Sequence, residues 1–160
     1  TMNVIGFWKA KDEYGEFCNW YGAKFVYEGI EFKNTEQAFM YLKAKLFNDT
    51  KIMEQILKNS NPRVCKNLGR AVKPFDSNVF DNHKYQFMVE VLYAKFSQNE
   101  HLKEKLINTG DALLVEASPL DKIWGIGMSI EHPDFNDPTK WKGTNLLGKA
   151  LMEVRAQLVK

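Results

Sequence analysis

Some segments of the chain space their apolar residues as strands do, and others space them as helices do. The sequence predicts strands over 3–8 and 24–32, the second a hairpin with alternating apolar residues that turns at Glu28-Gly29. A continuous apolar run predicts a buried strand over 112–117. Helical spacing predicts helices over 34–47, 50–58, 61–70, 78–97, 100–108 and 144–159. These elements predict an α+β class, a helix-rich single domain with a small β-sheet that covers residues 3–160.

Capping residues mark the ends of two of these helices. Asn34 and Gln37 form a capping-box pair at the start of the first. Asn61 precedes Pro62 at the start of the third, which we expect to end at Gly69. The longest helix carries an apolar stripe made of Phe80, Phe87, Met88, Val91, Leu92 and Phe96.

Composition narrows the class of protein. The 160 residues are enough for one domain with a sizeable core. Basic and acidic residues nearly cancel, 22 against 20, which does not indicate a strongly basic nucleic-acid binder but allows a substrate with a few phosphates. Cys18 and Cys65 lack metal-binding spacing and the three histidines are scattered, so we expect a reduced cytoplasmic protein without a metal or other cofactor. No apolar run is long enough to span a membrane, so no membrane partner is expected.

A lysine interrupts the apolar face of the helix over 34–47. The core-facing stripe consists of Phe39, Met40, Leu46 and Phe47. Lys43 falls within that stripe, and Glu36 lies two turns earlier on the same face. One interpretation is a lysine whose stem covers the core edge while its ammonium reaches water. The other is an amine in an apolar pocket beside a carboxylate, which activates the amine as a nucleophile toward a carbonyl or masked aldehyde.

The stretch EASPLDKIWGIG (116–127) combines carboxylates, a tryptophan and glycines in a turn. Glu116 ends the buried strand and Asp121 follows it, and a pair of carboxylates is what cleavage of a glycosidic bond typically uses. Trp124 offers a flat face on which a base can stack. The alternatives are a turn-capping or solvated carboxylate and a tryptophan packed in the core.

Two further segments carry weaker signals. Asn19 and Trp20 place an amide beside an aromatic ring, which suits recognition of a base or packing of a loop on the core. Gly143 and Thr144 precede the last helix, where free backbone N–H groups favour a phosphate or a ribose hydroxyl. Arg155, within that helix, is either a surface charge or a phosphate partner.

Six stretches together resemble, in order, the YbiA-like NADAR family. They are GFWKAKDEYGEFCNW, NTEQAFMYLKAKLFND, LGRAVKPFD, AKFSQNEHLKEKLINTGDALLVEAS, DKIWGIG and WKGTNLLGKALMEVR. The resemblance covers nearly the whole chain and implies a YbiA-like fold and an N-glycosidase, a hydrolase that acts on N-glycosyl compounds. Some family members remove ribose phosphate from ribosylamino-pyrimidine intermediates of riboflavin synthesis. Others remove ADP-ribose from guanine and so reverse the action of DNA ADP-ribosyltransferase toxins, as antitoxin or repair enzymes.

The resemblance also implies roles for particular residues. It aligns Lys43 with a helix lysine taken as a Schiff-base nucleophile, Glu36 with the acid two turns before it, and Asp121 and Trp124 with turn residues that face the ribose. Our mechanistic hypothesis adds that Glu36 or Asp121 transfers the proton that opens the ribose ring. The resemblance implies substrate contacts by Lys9, Asn19, Trp20, Trp124, Gly125, Gly127, Gly143 and Asn145. Lys9 stands where many relatives have arginine, which loses a bidentate fork. Cys18 stands where serine is common, which loses a hydroxyl contact.

Several functions stay open at this point. We expect removal of ADP-ribose from ADP-ribosylated guanine in DNA, because Trp20 and Trp124 offer two faces for a nucleotide with two ring ends. The expected partners are ADP-ribosylated nucleic acid, the product ADP-ribose and a cognate DNA ADP-ribosyltransferase toxin. The alternatives are hydrolysis of a phosphorylated ribosylamino-pyrimidine and a non-catalytic module that binds ADP-ribose. In place of the Schiff base, a carboxylate could activate water while Lys43 only holds the substrate.

Overall fold

The structure, a computed structural model, describes residues 3–160, which divide into two compact units. The terminal unit comprises the chain up to Tyr21 together with Glu100–Lys160, and the central unit is Gly22–Asn99. In chain order the elements are β1 (Val4–Phe7), β2 (Phe25–Tyr27), β3 (Ile30–Phe32), α1 (Thr35–Leu46), α2 (Thr50–Leu57), α3 (Pro62–Arg70), α4 (Ser77–Ser97), α5 (Glu100–Ile107), β4 (Leu113–Glu116) and α6 (Leu146–Leu158). Every predicted element is present, with ends within two residues of the prediction.

The small amount of sheet is divided into two pairs. In the terminal unit β1 and β4 run parallel, in a register from Val4 opposite Leu113 to Phe7 opposite Glu116. In the central unit β2 and β3 form the predicted antiparallel hairpin. Within the described residues, no helix combines the length and the apolar character needed to cross a bilayer.

The hairpin turns where the sequence predicts. Glu28 and Gly29 both have positive φ, 50° and 80°, as a tight two-residue turn between twisted strands requires. The exposed edge of β2 is held to the end of α4, because Gln98 accepts a hydrogen bond from Val26 N and donates one to Val26 O, both at 2.7 Å.

Helix α1 is the centre of the central unit, because α2, α3 and α4 all pack against it. Its buried apolar residues are Ala38, Phe39, Met40, Tyr41, Leu42 and Ala44. Helix α3 comes close through Gly69, where an added Cβ would lie 2.0 Å from Sδ of Met40. A larger residue at Gly69 would therefore have to displace the side chain of Met40.

The predicted apolar stripes were partly wrong. Leu46 and Phe47 are only partly buried, whereas Tyr41 and Leu42, outside the predicted stripe, are buried because helices pack on more than one side of α1. In α4 the stripe is buried from Met88 onward, while Phe80 and Phe87 are only partly buried. Helix α3 begins at Pro62 as predicted and ends at Arg70, one residue later than expected.

The start of α1 depends on one buried amide side chain. Asn34 Oδ1 accepts from Gln37 N at 2.8 Å, which confirms Asn34 as the cap, whereas the reciprocal bond of a capping box is replaced by one to Lys33 N. The Gln37 Oε1 atom accepts from Lys33 N at 2.7 Å, and its Nε2 donates to Ile56 O at 3.0 Å and to Asn59 O at 2.9 Å. The Gln37 side chain thus joins the segment before α1 to carbonyls at and just beyond the end of α2.

In the terminal unit, β4 lies between a hydrophobic cluster and α6. The cluster contains Val115, Ala117, Ile126, Met128 and Phe135, with Val4, Leu113 and Trp141 packed against it. Helix α6 approaches the strand so closely that a Cβ on Gly148 would lie 2.1 Å from Leu114 O. Arg155 of α6 donates from Nη1 to Thr109 Oγ1 and to Ala112 O, both at 2.9 Å. These contacts make Arg155 a partly buried structural residue.

We predict that Gln37→Leu lowers the free energy of unfolding by at least about 2 kcal/mol, because it leaves buried backbone groups without hydrogen-bond partners. Urea unfolding followed by circular dichroism measures the change. Gln55→Leu is the matched control, since Gln55 is exposed on α2, and should change stability by no more than about 0.5 kcal/mol. Equal losses in the two variants would contradict the role given to Gln37.

Candidate functional site

Lys43 lies in the central unit, on a face of α1 that also meets aromatic side chains. It is half-buried, and its Nζ lies 4.7 Å from the ring centroid of Phe75 and 5.3 Å from that of Phe80. Phe75 in turn contacts Phe47 and Phe80, with ring centroids 5.3 Å and 6.0 Å away. The amine therefore sits against aromatic rings, although part of the side chain still reaches solvent.

The surroundings of Lys43 favour its neutral form. Burial is the largest cause that lowers its pKa below the ordinary lysine value, and the positive charge of Arg70 lowers it further. The carboxylate of Glu36 acts in the opposite sense and raises the pKa. Because the net shift is downward, a larger fraction of Lys43 is an unprotonated nucleophile near neutral pH.

Burial and the charge of Glu36 also act on Cys65 of α3, but with the opposite chemical result. Burial, followed by the negative charge of Glu36, raises the pKa of its thiol to about 11. The Sγ atom lies 3.3 Å from Asn59 O and the residue is fully buried. Since a thiol reacts as the thiolate, Cys65 stays inert. Of the two side chains, Lys43 is therefore the one whose reactive form is favoured.

Sequence reasoning found Lys43 and Glu36 but missed their neighbours. Arg70 and Phe75 lie in the LGRAVKPFD stretch, which the family resemblance includes without assigning either residue a role. The sequence did contain an indication for Phe75. It follows Pro74 in a polar segment, where no neighbouring apolar residues offer it a local core. Phe75 remains 48% exposed, which leaves part of its ring surface open beside the amine.

The carboxylate of Asp121, in the terminal unit, shapes the turn that carries Trp124. Asp121 Oδ1 accepts from Ile123 N at 2.9 Å and from Trp124 N at 2.8 Å. Ser118 Oγ accepts from Leu120 N at 3.2 Å and from Asp121 N at 3.1 Å. The turn-capping interpretation therefore holds for one oxygen of Asp121, and its proposed catalytic role would fall to the other oxygen.

This turn is joined by backbone hydrogen bonds to the segment before α6. The donors Thr144 N, Asn145 N, Leu146 N and Leu147 N bind the carbonyls of Lys122, Gly125, Ile123 and Trp124 respectively, at 2.9–3.1 Å. The expectation of free N–H groups at the start of α6 was therefore wrong. The donors are used within the protein, because a non-local loop supplies their acceptors.

Gly143 and Asn145 hold these two loops together. A Cβ on Gly143 would lie 2.3 Å from Gly125 O, so the loops can touch only through glycine. Asn145 is buried in the left-handed region with φ 54°, and its side chain accepts from Glu116 N and donates to Leu114 O, both at 3.0 Å. Asn145 thus ties the end of β4 to the start of α6, and its direct contact with a substrate stays a prediction.

The glycines of the turn also have structural roles. A Cβ on Gly125 would lie 2.6 Å from Oε2 of Glu116, so this glycine admits the Glu116 carboxylate beside the main chain. Gly127 has φ 71°, a conformation that favours glycine, and lies between the stems of Lys122 and Lys142. Substrate contact by Gly125 and Gly127 likewise stays a prediction.

The remaining candidates lie in the N-terminal segment of the terminal unit. Lys9 is exposed, and its Nζ lies 4.9 Å from the ring centroid of Trp8. Trp20 is half-buried. The Asn19 Oδ1 atom is buried and has no hydrogen-bond partner within residues 3–160. A buried acceptor without a donor is costly, so this oxygen is suited to accept an N–H or O–H group from a ligand.

The candidates thus form three groups within the two units. Glu36 and Lys43 belong to the central unit. Lys9, Asn19 and Trp20 belong to the N-terminal segment of the terminal unit, and the joined loops of the same unit contain Asp121, Trp124, Gly125, Gly127, Gly143 and Asn145. No group of three or more His, Cys, Asp or Glu side chains suited to a metal ion occurs in the part of the chain that the structure describes.

Comparison with known proteins gives consistent matches over most of the chain. The family model described as "NADAR domain" matches residues 6–159. "N-glycosidase R617" of Acanthamoeba polyphaga mimivirus is 39% identical over 146 residues, which are 88% of this chain and 86% of that protein. "N-glycosidase YbiA" of Escherichia coli (strain K12) is 35% identical over 156 residues, 97% of this chain and 88% of that protein. The NMR structure of Escherichia coli YbiA matches with a TM-score of 0.80 and 34% identity, covering 98% of this chain and 85% of that one, which confirms the predicted fold.

We predict that Gly143→Ala destabilises the protein by about 1–3 kcal/mol, because the added methyl group would overlap the main chain of the facing loop. Gly22→Ala is the matched control, since a Cβ there meets nothing within 4 Å. Thermal unfolding of the two variants measures the difference. A Gly143→Ala protein as stable as Gly22→Ala would contradict the close approach of the loops.

We predict that the pKa of Lys43 falls further in Glu36→Gln and rises in Arg70→Met, because the first change removes an attractive charge and the second a repulsive one. Reductive methylation over a pH series, with the modified peptides quantified by mass spectrometry, measures the shift. Lys45, exposed on the same helix, is the internal reference and should react alike in all three proteins. A shift of Lys43 in the opposite direction in either variant would contradict this electrostatic description.

Proposed function

The chain belongs to the NADAR family and is an N-glycosidase, and on this basis we propose that it removes ADP-ribose from ADP-ribosylated guanine in DNA. The bond to be cleaved joins C1″ of the ribose to the exocyclic nitrogen of guanine. The observation that carries the proposal is the setting of Lys43, an amine held against aromatic rings with its pKa lowered by burial and by Arg70. A module that only binds nucleotides would have no need of such an amine.

The proposed reaction begins with opening of the ribose ring. The C1″–O4″ bond breaks, O4″ takes a proton, and the lone pair of the exocyclic amine forms an imine with C1″. Glu36, whose charge acts on Lys43, is one candidate for this proton transfer, and Asp121 is the other.

Lys43 then exchanges with guanine. Its neutral Nζ adds to C1″, the exocyclic nitrogen gains a proton, and the bond from C1″ to that nitrogen breaks so that guanine leaves. The new imine joins C1″ to Lys43. Water adds to C1″, the amine of Lys43 is expelled, and ADP-ribose departs as its aldehyde form.

Three side chains of the terminal unit support a substrate that contains a base. Trp20 and Trp124 are both partly exposed, so each keeps some ring surface on which a base can stack. The Asn19 Oδ1 atom lacks a donor among the described residues, and guanine carries N–H groups that would supply one.

The remaining parts of the proposal concern the cellular setting. An enzyme with this activity reverses the product of a DNA ADP-ribosyltransferase toxin, so such a toxin is the proposed cognate partner. Cys18 and Cys65 are both free thiols, as suits the proposed cytoplasmic location.

We predict that the protein releases ADP-ribose from an oligonucleotide with ADP-ribosylated guanine at a much higher kcat/KM than ribose 5-phosphate from the ribosylamino-pyrimidine phosphate of riboflavin synthesis. Borohydride added during turnover should trap the sugar on Lys43. Lys43→Ala and Lys43→Arg should abolish the adduct and lower kcat/KM about 1000-fold or more, because a covalent nucleophile is lost. Mass spectrometry follows both products and the adduct.

Lys45→Ala is the matched control, because Lys45 lies on the same helix but pairs with Glu28 at the surface, 3.5 Å away. It should keep full activity. Activity of Lys43→Ala within about tenfold of wild type would exclude the imine route. Faster cleavage of the ribosylamino-pyrimidine would overturn the substrate but not the N-glycosidase chemistry, and binding of ADP-ribose without cleavage of either compound would indicate a binding module.

A further inference from the structure

The turn between β4 and Trp124 presents two apolar side chains to solvent. Leu120 is 86% exposed and Ile123 is 51% exposed. A single exposed apolar residue is ordinary on a protein surface. Here, however, two of them lie on either side of Lys122 in one short turn, which we call the 119–123 turn.

The 119–123 turn is held rigidly despite its exposure. Ser118 Oγ and Asp121 Oδ1 each accept two backbone N–H groups of the turn and its flanks. On the far side, Thr144 N donates to Lys122 O at 2.9 Å and Thr144 Oγ1 donates to Ile123 O at 2.6 Å. Because the main chain is already fixed, a ligand that contacts Leu120 and Ile123 has little backbone ordering to impose.

Lys122 within this turn and Lys142 next to it carry positive charges that form no ion pair with a described residue. Both lysines are exposed. Their stems flank Gly127, since a Cβ placed there would meet Lys122 Cγ at 3.1 Å and Lys142 Cβ at 3.2 Å. Lys140, by contrast, faces Asp134 at 3.6 Å. Two lysines whose stems start from the same place and whose charges are not used in an ion pair are suited to an anion.

We propose that the 119–123 turn, with Lys122 and Lys142, is a docking surface for the DNA strand that carries the modified base. Leu120 and Ile123 contact base faces of that strand, and the two lysines neutralise phosphates of the same strand. Apolar side chains combined with unpaired cations match a strand that offers ring faces and phosphates together. This proposal rests on the proposed function, and it adds that the enzyme reads the strand as well as the ADP-ribosylated guanine.

The test compares Leu120→Ser/Ile123→Ser and Lys122→Gln/Lys142→Gln with matched controls. The controls are Leu57→Ser, an exposed leucine of α2, and Lys51→Gln/Lys58→Gln, which removes two exposed charges of the central unit. Each protein is assayed on ADP-ribosylated guanine within an oligonucleotide and on the same modification in the free nucleotide. Fluorescence anisotropy with an unmodified single-stranded oligonucleotide, over a salt series, measures binding without catalysis.

We expect both turn variants to lose about tenfold in kcat/KM on the oligonucleotide and less than about twofold on the free nucleotide, because only the oligonucleotide extends to the turn. Lys122→Gln/Lys142→Gln should reduce the slope of log affinity against log salt by about 1.4, from about 0.7 for each phosphate contact on a single strand. The control variants should behave like the wild type on both substrates.

Equal losses on both substrates, or no loss on either, would overturn the proposal. So would a change of oligomeric state in sedimentation velocity when Leu120 and Ile123 are replaced, since the turn would then be a contact between copies of the chain. If the wild type cleaves neither ADP-ribosylated compound, the proposed function fails and anisotropy alone decides. Weaker oligonucleotide binding by the turn variants would then still support the docking surface, and unchanged binding would refute it.

Discussion

The packing of α1 on several sides is the constraint that sets the protonation of Lys43. Helix α1 is contacted by α2, α3 and α4, so the stem of Lys43 cannot turn wholly into water. The same apolar surroundings shift Lys43 and Cys65 toward their neutral forms. For an amine the neutral form is the nucleophile, whereas for a thiol it is the unreactive form. Burial thus favours the reactive form of the amine and the unreactive form of the thiol, and the charge of Glu36 opposes the shift of Lys43.

The terminal unit is organised by main-chain contacts. Four N–H groups before and within the first turn of α6 bind carbonyls of the loop that contains Trp124, and Asn145 joins the same region to β4. Glycines are needed at Gly125 and Gly143 because main-chain or carboxylate atoms occupy the place of a Cβ. Gly125 and Gly143, which the sequence analysis assigned to ligand binding, are thus needed to let the two loops pack against each other.

Local features of the sequence predicted much of the fold. The hairpin at Glu28-Gly29 and the Asn34 cap of α1 are encoded by residues close together in the chain, and both are found as predicted. The position of Lys43 on α1 followed from helical phase. What could not be predicted depends on contacts between residues distant in the chain. Arg70 reaches the surroundings of Lys43 only because α3 packs on α1 through Gly69, and the acceptors for the N–H groups of α6 lie about twenty residues earlier in the chain.

The backbone path of the loop around Trp124 does not depend on most of the side chains that the loop exposes. The bonds that fix its path come from Ser118, Asp121 and the main chain near Thr144, while Leu120, Lys122 and Ile123 contribute side chains to none of them. Substitutions at these three outward positions therefore cost the fold little stability. The outward side chains of such a loop can therefore change by point mutation while its backbone path persists, so its surface chemistry can diverge among proteins that share this fold.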